Sequence, residues 1–220
     1  PKNNFLKKIR TLADQKNIIL IFDECTTGFR ETLGGLHKKF KVNPDLLILG
    51  KAMGNGYAIT SVLGKQKIMD NIKNTFISST FWTERIGPAA AIKIIEIMEK
   101  NKSWIKITKM GKYIMKNWIK IAKKNNFKIK VKGLPALCSF YFESNNNNIY
   151  KTYITQEMLK YGFLASNVVY LSTAHNYAII NKYLNKLDII FKNIRKFENG
   201  EDVFNHMHST SATESFSRLN

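Results

Sequence analysis

The first part of the chain alternates between helical and strand-like patterns of apolar residues. Apolar side chains recur at helical spacing over residues 4–16, which predicts a surface helix. Two short, continuous apolar runs follow, Ile18–Phe22 and Leu46–Leu49. Both are typical of strands that are buried on both faces of a parallel sheet. The alternation of helix and buried strand predicts an α/β layer architecture.

The pattern changes towards the C-terminus. After a predicted strand at Tyr57–Gly64, apolar residues keep helical spacing for about thirty residues beyond Pro88, with a break near Ser103. Beyond Pro135, short alternating strands and two further helices indicate a small α+β domain. We therefore predict a boundary near Asn125. The expected divisions are residues 1–125, residues 126–205 and a loosely ordered tail rich in Ser, Thr and His, residues 206–220.

The strong positive charge changes this picture little. The chain has 35 Lys and Arg against 16 Asp and Glu, a net charge of +19. Most of the basic residues are lysines scattered over every segment, a pattern typical of solvated helix faces, so we predict no nucleic-acid partner. A basic nucleic-acid binder is retained as an alternative, recognisable by affinity that falls steeply with salt. No apolar run approaches the roughly 18 residues of a membrane span, so no membrane association is expected.

The two cysteines, Cys25 and Cys138, are far apart in sequence and have no Cys or His neighbours at metal-ligand spacing. This predicts neither a disulfide framework nor a metal site. A reducing, cytoplasmic location is the expectation that fits.

The candidate chemistry lies at the ends of the two apolar runs. Asp23 ends the first run, and Lys51 follows the second inside the glycine-rich turn GKAMGNG. Open α/β sheets bind ligands at the carboxyl ends of their strands. A phosphate-binding P-loop is excluded, because Asp45 and Ala52 stand where that motif needs a glycine and a hydroxyl residue. The pairing is instead typical of a pyridoxal phosphate site, where a lysine forms a Schiff base with the aldehyde and a carboxylate keeps the pyridine nitrogen protonated.

Four sequence blocks carry a resemblance to a known family. They are FDECTTGFRETLGG, VNPDLLILGKAMGNGYAITSVLGKQKIMD, STFWTERIGPAAA and the terminal FSRLN. Together they resemble the class III pyridoxal-phosphate aminotransferases of fold type I, in the branch that includes glutamate-1-semialdehyde 2,1-aminomutase. The resemblance implies that residues 1–125 are the C-terminal part of a large domain with a mainly parallel sheet and flanking helices, and that residues 126–205 are the small C-terminal domain.

The resemblance also implies roles for individual residues. Asp23 becomes the acid at the pyridine nitrogen, and Lys51 becomes the Schiff-base lysine. Cys25 would pack against the cofactor ring, and Thr26 would lie near its phenolic oxygen. A threonine before helical residues is expected to reach the cofactor phosphate of the neighbouring subunit, which implies a homodimer. Two candidates remain open for that threonine: the distance to a following proline selects Thr83, and the letters Ser-Thr-Phe select Thr80.

These features predict a pyridoxal-phosphate-dependent enzyme that transfers an amino group between small molecules, either a transaminase or a 2,1-aminomutase. Enzymes of this type carry a phosphate-gripping loop and a ring-stacking aromatic residue before the first strand seen here. We therefore expect the chain to be the C-terminal portion of a longer protein and to be inactive alone. The alternative is a non-catalytic subunit of the same fold, which titration with pyridoxal phosphate would distinguish.

Overall fold

The computed structural model describes residues 3–212, so the FSRLN block and the end of the predicted tail lie outside the described residues. The chain divides between Ile105 and Lys106 into two compact units, which we describe separately. One helix, Ser103–Lys124, spans this division. The boundary near Asn125 that we predicted from the sequence falls at the end of the same helix.

The first unit begins with helix α1, Phe5–Gln15, which confirms the helix predicted there. Three strands then form one sheet in the order β1–β2–β3. Their bounds are Ile21–Asp23 for β1, Leu46–Leu49 for β2 and Ser61–Gly64 for β3. β1 and β2 run parallel, whereas β2 and β3 are antiparallel. The described sheet is therefore mixed, and the parallel pair at β1 and β2 carries the two candidate residues.

Strand β1 differs from its prediction in length and in burial. The predicted run started at Ile18, but the backbone nitrogen of Ile18 instead bonds the carbonyl of Ala13 at the end of α1. Ile21 is 51% exposed, so the prediction of a strand buried on both faces is wrong for the described residues. The reason is that β1 is an edge strand in this sheet, with β2 as its described neighbour.

Two further helices of the first unit follow the sheet. α2 is the short helix Gln66–Met69 and α3 is Ile86–Asn101, and the helix that spans the division, Ser103–Lys124, is α4. The predicted break between the long helices is confirmed at Lys102, which has φ 49° and whose backbone nitrogen bonds the carbonyl of Met98 at 2.8 Å. A left-handed residue ends a helix because it turns the chain while satisfying a terminal carbonyl.

The second unit is an antiparallel sheet packed with helices. Its strands are β4, Ile129–Leu134, β5, Leu137–Phe142, and β6, Val168–Tyr170, and its further helices are α5, Asn147–Lys160, and α6, Tyr177–Glu198. The α+β character matches the expectation for the C-terminal part. Strand β4 was not predicted from the sequence, although its lysines alternate with apolar residues as in a strand with one buried face.

A large aromatic core stabilises this second unit. Trp118, Phe140 and Phe191 are fully buried. The ring centroids of Trp118 and Phe140 are 4.9 Å apart in an edge-to-face arrangement, which such pairs prefer. The indole nitrogen of Trp118 donates a hydrogen bond to the hydroxyl of Tyr183 at 3.0 Å, so the buried polar atom of the indole has a partner.

Candidate functional site

Asp23 and Lys51 lie at the same edge of the first unit's sheet. In the parallel ladder, Asp23 stands opposite Ile48, and the ladder extends one step further through a hydrogen bond from Glu24 N to Ile48 O of 2.9 Å. Lys51 follows β2 directly after Gly50. Both side chains are exposed. Because β1 and β2 run in the same direction, their carboxyl ends deliver the acid and the amine to one edge.

The amine of Lys51 has a defined position within this edge. Its Nζ donates a hydrogen bond to the hydroxyl of Thr26 at 2.6 Å. Lys51 opens the short 3-10 turn Lys51–Met53 with φ 44°, a left-handed conformation that costs a non-glycine residue about 1–2 kcal/mol. Among the described residues, no carboxylate forms an ion pair with this amine. Strained backbone of this kind persists where surrounding contacts impose it, and it clusters at functional sites.

Cys25 lies close to both candidate residues. A Cβ atom placed on Gly50 would lie 3.5 Å from Cys25 Sγ, an ordinary van der Waals separation, so the thiol lies directly beside the residue that precedes Lys51. Burial raises the pKa of the Cys25 thiol, the Asp23 carboxylate raises it further, and the positive charge of Lys51 lowers it. The pKa of this thiol therefore depends on the charges of both Asp23 and Lys51. The raised pKa keeps it neutral at physiological pH, which suits a packing role.

The carboxylate of Asp23 also shapes the loop that follows it. Its Oδ1 accepts a hydrogen bond from Cys25 N at 3.0 Å, which closes a tight turn after β1. Asp23 lines a small cavity of about 240 Å³ together with Thr27 and His37. This cavity is separate from the one beside Lys51, so the described residues alone do not enclose the acid and the amine in one cavity.

Glu24, the neighbour of Asp23, has a structural role that sequence analysis missed. It is buried and accepts hydrogen bonds from the backbone nitrogens of Leu36 and His37, the latter at 2.9 Å, and contacts His37 Nδ1 at 2.9 Å. The signal that could have revealed it is its position directly after an exposed strand residue, since neighbouring side chains of an extended chain point in opposite directions. Asp23 is exposed, whereas Glu24 is buried and fixes the loop that contains Leu36 and His37.

A larger cavity, of about 630 Å³, opens beside Lys51. Its volume falls within the range typical of small-molecule sites. Its lining is partly aromatic and includes Tyr57, Thr60, Ser79, Phe81, Trp82 and Glu84. Sequence analysis singled out none of these six residues. They are brought together by the loop before β3 and the turn before α3, two segments that are distant in sequence.

The two candidate threonines for the phosphate lie in that turn before α3. Thr80 and Thr83 are both exposed, and neither lines the cavity beside Lys51. Over residues 3–212, neither hydroxyl makes a hydrogen bond. Glu84 caps α3 instead, because its Oε1 accepts from Ile86 N at 2.9 Å. The structure therefore does not bring either threonine to Lys51.

Two searches of the described residues were negative. No group of three or more His, Cys, Asp and Glu side chains between residues 3 and 212 is placed to hold a metal ion. Within that same range, none of the helices has the length and apolar character required to cross a bilayer.

Comparison with known proteins identifies relatives over most of the chain. The family described as aminotransferase class-III matches residues 1–193. A 3-aminobutyryl-CoA aminotransferase from Cloacimonas acidaminovorans is 36% identical over 157 residues, covering 71% of this chain and 38% of that protein. A glutamate-1-semialdehyde 2,1-aminomutase from Sulfurisphaera tokodaii is 31% identical over 82% of this chain and 47% of its own length. The chain thus spans about half the length, or less, of these curated relatives.

Solved structures show the same fold. The PLP internal aldimine form of the FumI protein from Sphingopyxis sp. MTA144 superposes with a TM-score of 0.81 at 22% identity, covering 89% of this chain and 48% of that chain. An ornithine aminotransferase from Toxoplasma gondii gives a TM-score of 0.78 at 20% identity, over 90% of this chain and 49% of that one. These likenesses confirm the predicted fold-type I architecture. Together with the match over residues 1–193, they establish that the chain belongs to the class III aminotransferase family.

Proposed function

We propose that the protein transfers amino groups with the help of pyridoxal phosphate, and that Lys51 is the residue to which the cofactor is attached. The observation that carries this proposal is the delivery of Asp23 and Lys51 to one sheet edge by the parallel strands β1 and β2. Membership of the class III family supplies the chemical context. The acid and the amine are the two groups that this cofactor needs from a protein.

The residues present at this edge fit the cofactor. Lys51 offers an exposed amine without a described ion pair, beside a cavity of about 630 Å³. Asp23 offers an exposed carboxylate at the end of the adjacent strand. Cys25 offers a neutral, apolar surface between them, because its thiol pKa is raised. An amine, an acid and an apolar packing group match the aldehyde, the pyridine nitrogen and the ring face, respectively.

Each side chain then has a defined task. Bound pyridoxal phosphate supplies an aldehyde that condenses with amines and a ring that accepts electron density. The Asp23 carboxylate would hold a proton on the pyridine nitrogen, because its negative charge favours the protonated form. Lys51 would anchor the cofactor through Nζ. The same Nζ, when free as a neutral amine, would accept a proton from the substrate carbon and return it to another atom of the substrate.

The protein is further proposed to act as a homodimer, in which Thr83 or Thr80 of one subunit reaches the cofactor phosphate of the other. The exposed aromatic residues around these threonines support the proposal. Phe76 is 96% exposed and Trp82 is 67% exposed. Large aromatic side chains that are exposed to solvent on a single segment are typical of surfaces that another chain covers. Two separate free thiols are consistent with the proposed cytoplasmic location.

The substrates are proposed to be small amino donors and acceptors. The named relatives include both an aminotransferase and an aminomutase, so the reaction is transamination or the movement of an amino group within one molecule. Because the chain spans only part of those relatives, we propose that the residues equivalent to their remaining length complete the phosphate and ring contacts. On this view the 220 residues by themselves are inactive.

Borohydride reduction tests the attachment at Lys51. The full-length protein is incubated with pyridoxal phosphate, reduced, digested and mapped by mass spectrometry. We expect the reduced adduct on Lys51, its loss in Lys51→Ala, and its retention in Lys65→Ala, since Lys65 instead pairs with Asp45. An adduct on another lysine would overturn the proposal. No adduct on the full-length protein would favour the alternative, a non-catalytic subunit of the same fold.

A further inference from the structure

We propose that Thr26 is a positioning residue that holds the amine of Lys51 at the sheet edge, ready to react with the cofactor aldehyde. This inference rests on the proposed function. Its basis is the 2.6 Å hydrogen bond from Lys51 Nζ to Thr26 Oγ1, which joins the turn after β1 to the turn after β2. The hydroxyl thus acts first on the protein's own lysine rather than on the cofactor.

Thr26 is well suited to act as a fixed acceptor. The turn that carries it is closed by the hydrogen bond from Cys25 N to Asp23 Oδ1 at 3.0 Å and by that from Gly28 N to Glu24 O at 2.7 Å. Threonine is branched at Cβ, so its first side-chain torsion is stiff. Half-burial of Thr26 restricts it further. The hydroxyl oxygen therefore occupies a defined point beside the acid.

Lys51, in contrast, needs such a partner. Its backbone is fixed by the turn, where the nitrogens of Gly54 and Asn55 both bond to Lys51 O at 3.1 Å. Its four-carbon side chain is nevertheless flexible, and lysine carries about 2 kcal/mol of rotamer entropy. Holding a reactive group in its reacting position lowers the barrier to bond formation. The hydrogen bond to Thr26 supplies this restriction for an exposed amine.

The neutrality of the hydroxyl is as important as its position. A carboxylate in the same place would add an ion pair to the hydrogen bond, which the amine would have to break before it could react. Over residues 3–212, the recorded partner of Lys51 Nζ is the uncharged Thr26. A hydroxyl can accept from the amine before reaction, and it can turn to donate to another acceptor once the amine has been consumed.

Stopped-flow absorbance of imine formation between pyridoxal phosphate and the cofactor-free full-length protein tests the proposal. The comparison uses Thr26→Val, which removes the hydroxyl at nearly constant shape, and Thr26→Ser, which retains it. Thr11→Val is the matched control, because it removes an exposed hydroxyl that donates to Lys7 O within helix α1 and lines neither cavity. Circular dichroism checks that each variant is folded. If Thr26→Val does not fold, Thr26→Ala replaces it.

We expect imine formation in Thr26→Val to be about tenfold slower than in the wild type, because the amine is no longer held in its reacting position. Thr26→Ser should stay within about twofold of the wild type, and Thr11→Val should be unchanged. Equal rates in Thr26→Val and wild type, or a rate in Thr26→Ser as slow as that in Thr26→Val, would overturn the role of Thr26 while leaving the proposed function intact. Absence of imine in the wild type would instead refute the proposed function, and with it this inference.

Discussion

The carboxylate of Asp23 and the backbone nitrogen of Cys25 are joined by a hydrogen bond of 3.0 Å, which places the acid next to a half-buried thiol. Lys51 acts on that thiol with the opposite sign. After burial, the largest influences on the pKa of Cys25 are the upward effect of Asp23 and the smaller downward effect of Lys51. The reactivity of the Cys25 thiol can therefore be used to test the positions of both candidate residues in the absence of cofactor.

Substitution of either charge is predicted to change the reactivity of Cys25 in opposite directions. Thiols react as thiolates, so a lower pKa gives faster reaction. We expect Asp23→Asn to accelerate modification by a disulfide reagent at pH 8 by about two- to tenfold, and Lys51→Met to slow it by a smaller factor. The measurement is the absorbance of the released thiol reagent.

Cys138 provides the internal control for this experiment. It is fully buried, and burial raises the pKa of its thiol to about 12. Cys138 should therefore not react in the folded protein and should react once the chain is unfolded in denaturant. If both substitutions changed the reaction rate of Cys25 in the same direction and by the same factor, this result would contradict the described arrangement of Asp23 and Lys51.

Asp45 is predicted to stabilise the first unit in a pH-dependent way. It accepts hydrogen bonds from Leu20 N at 2.7 Å and from Arg10 at 2.8 Å, and it pairs with Lys65 at 2.6 Å. Burial alone would raise the pKa of Asp45, but these three donors hold it well below its ordinary value. Because the folded-state pKa is lowered, the stabilisation is fully present above the unfolded-state pKa of about 4 and is lost as the pH falls further.

The test compares Asp45→Asn with the wild type by urea unfolding at several pH values. At pH 7 we expect the substitution to lower the free energy of unfolding by about 1–3 kcal/mol, because it removes charge-assisted bonds. The difference should shrink as the pH falls below 4. Asp70→Asn is the control, since Asp70 is exposed and its nearest cation is 4.0 Å away. A difference that does not depend on pH would contradict the assigned role.

Gly111 is predicted to resist replacement by alanine although it lies within helix α4. Alanine usually stabilises a helix relative to glycine by about 1 kcal/mol. At Gly111, however, a Cβ atom would lie 1.9 Å from the carbonyl oxygen of Pro135, which is backbone and cannot move aside easily. We expect Gly111→Ala to lower the free energy of unfolding by about 1–3 kcal/mol. Lys112→Ala, at an exposed position next to it, should have little effect; stabilisation by Gly111→Ala would contradict the described packing.

The proposed homodimer leads to a prediction about Trp82. If the exposed aromatic segment is covered by a second subunit, placing a charge there should weaken the association. We expect Trp82→Glu in the full-length protein to shift the sedimentation profile from dimer towards monomer. Phe204→Glu is a matched control, because Phe204 is similarly exposed, at 62%, but lies near the C-terminal tail. A dimer unaffected by Trp82→Glu would remove this segment from the interface.

Local sequence patterns predicted the elements whose residues interact mainly with near neighbours. The helical periods located α1 and the two long helices with their break at Lys102, because hydrophobic spacing and the end of a helix are local properties. The same reasoning missed β4, although lysines alternate there with apolar residues as in a strand with one buried face, and the pairing with β5 supplies its hydrogen bonds. Strand formation depends on a partner that the local sequence does not reveal.

The site divides in the same way. The sequence alone was sufficient to identify Asp23 and Lys51 as candidates at the ends of two apolar runs, and the resemblance of four sequence blocks was sufficient to predict the family. Only the tertiary structure could decide that Lys51 Nζ contacts Thr26, that Glu24 is buried beneath Asp23, and that residues from two distant segments line the cavity beside Lys51. Those contacts form where two strands and a turn lie close together in the fold. The residues involved are far apart in sequence, and they become neighbours only through the parallel pairing of β1 and β2.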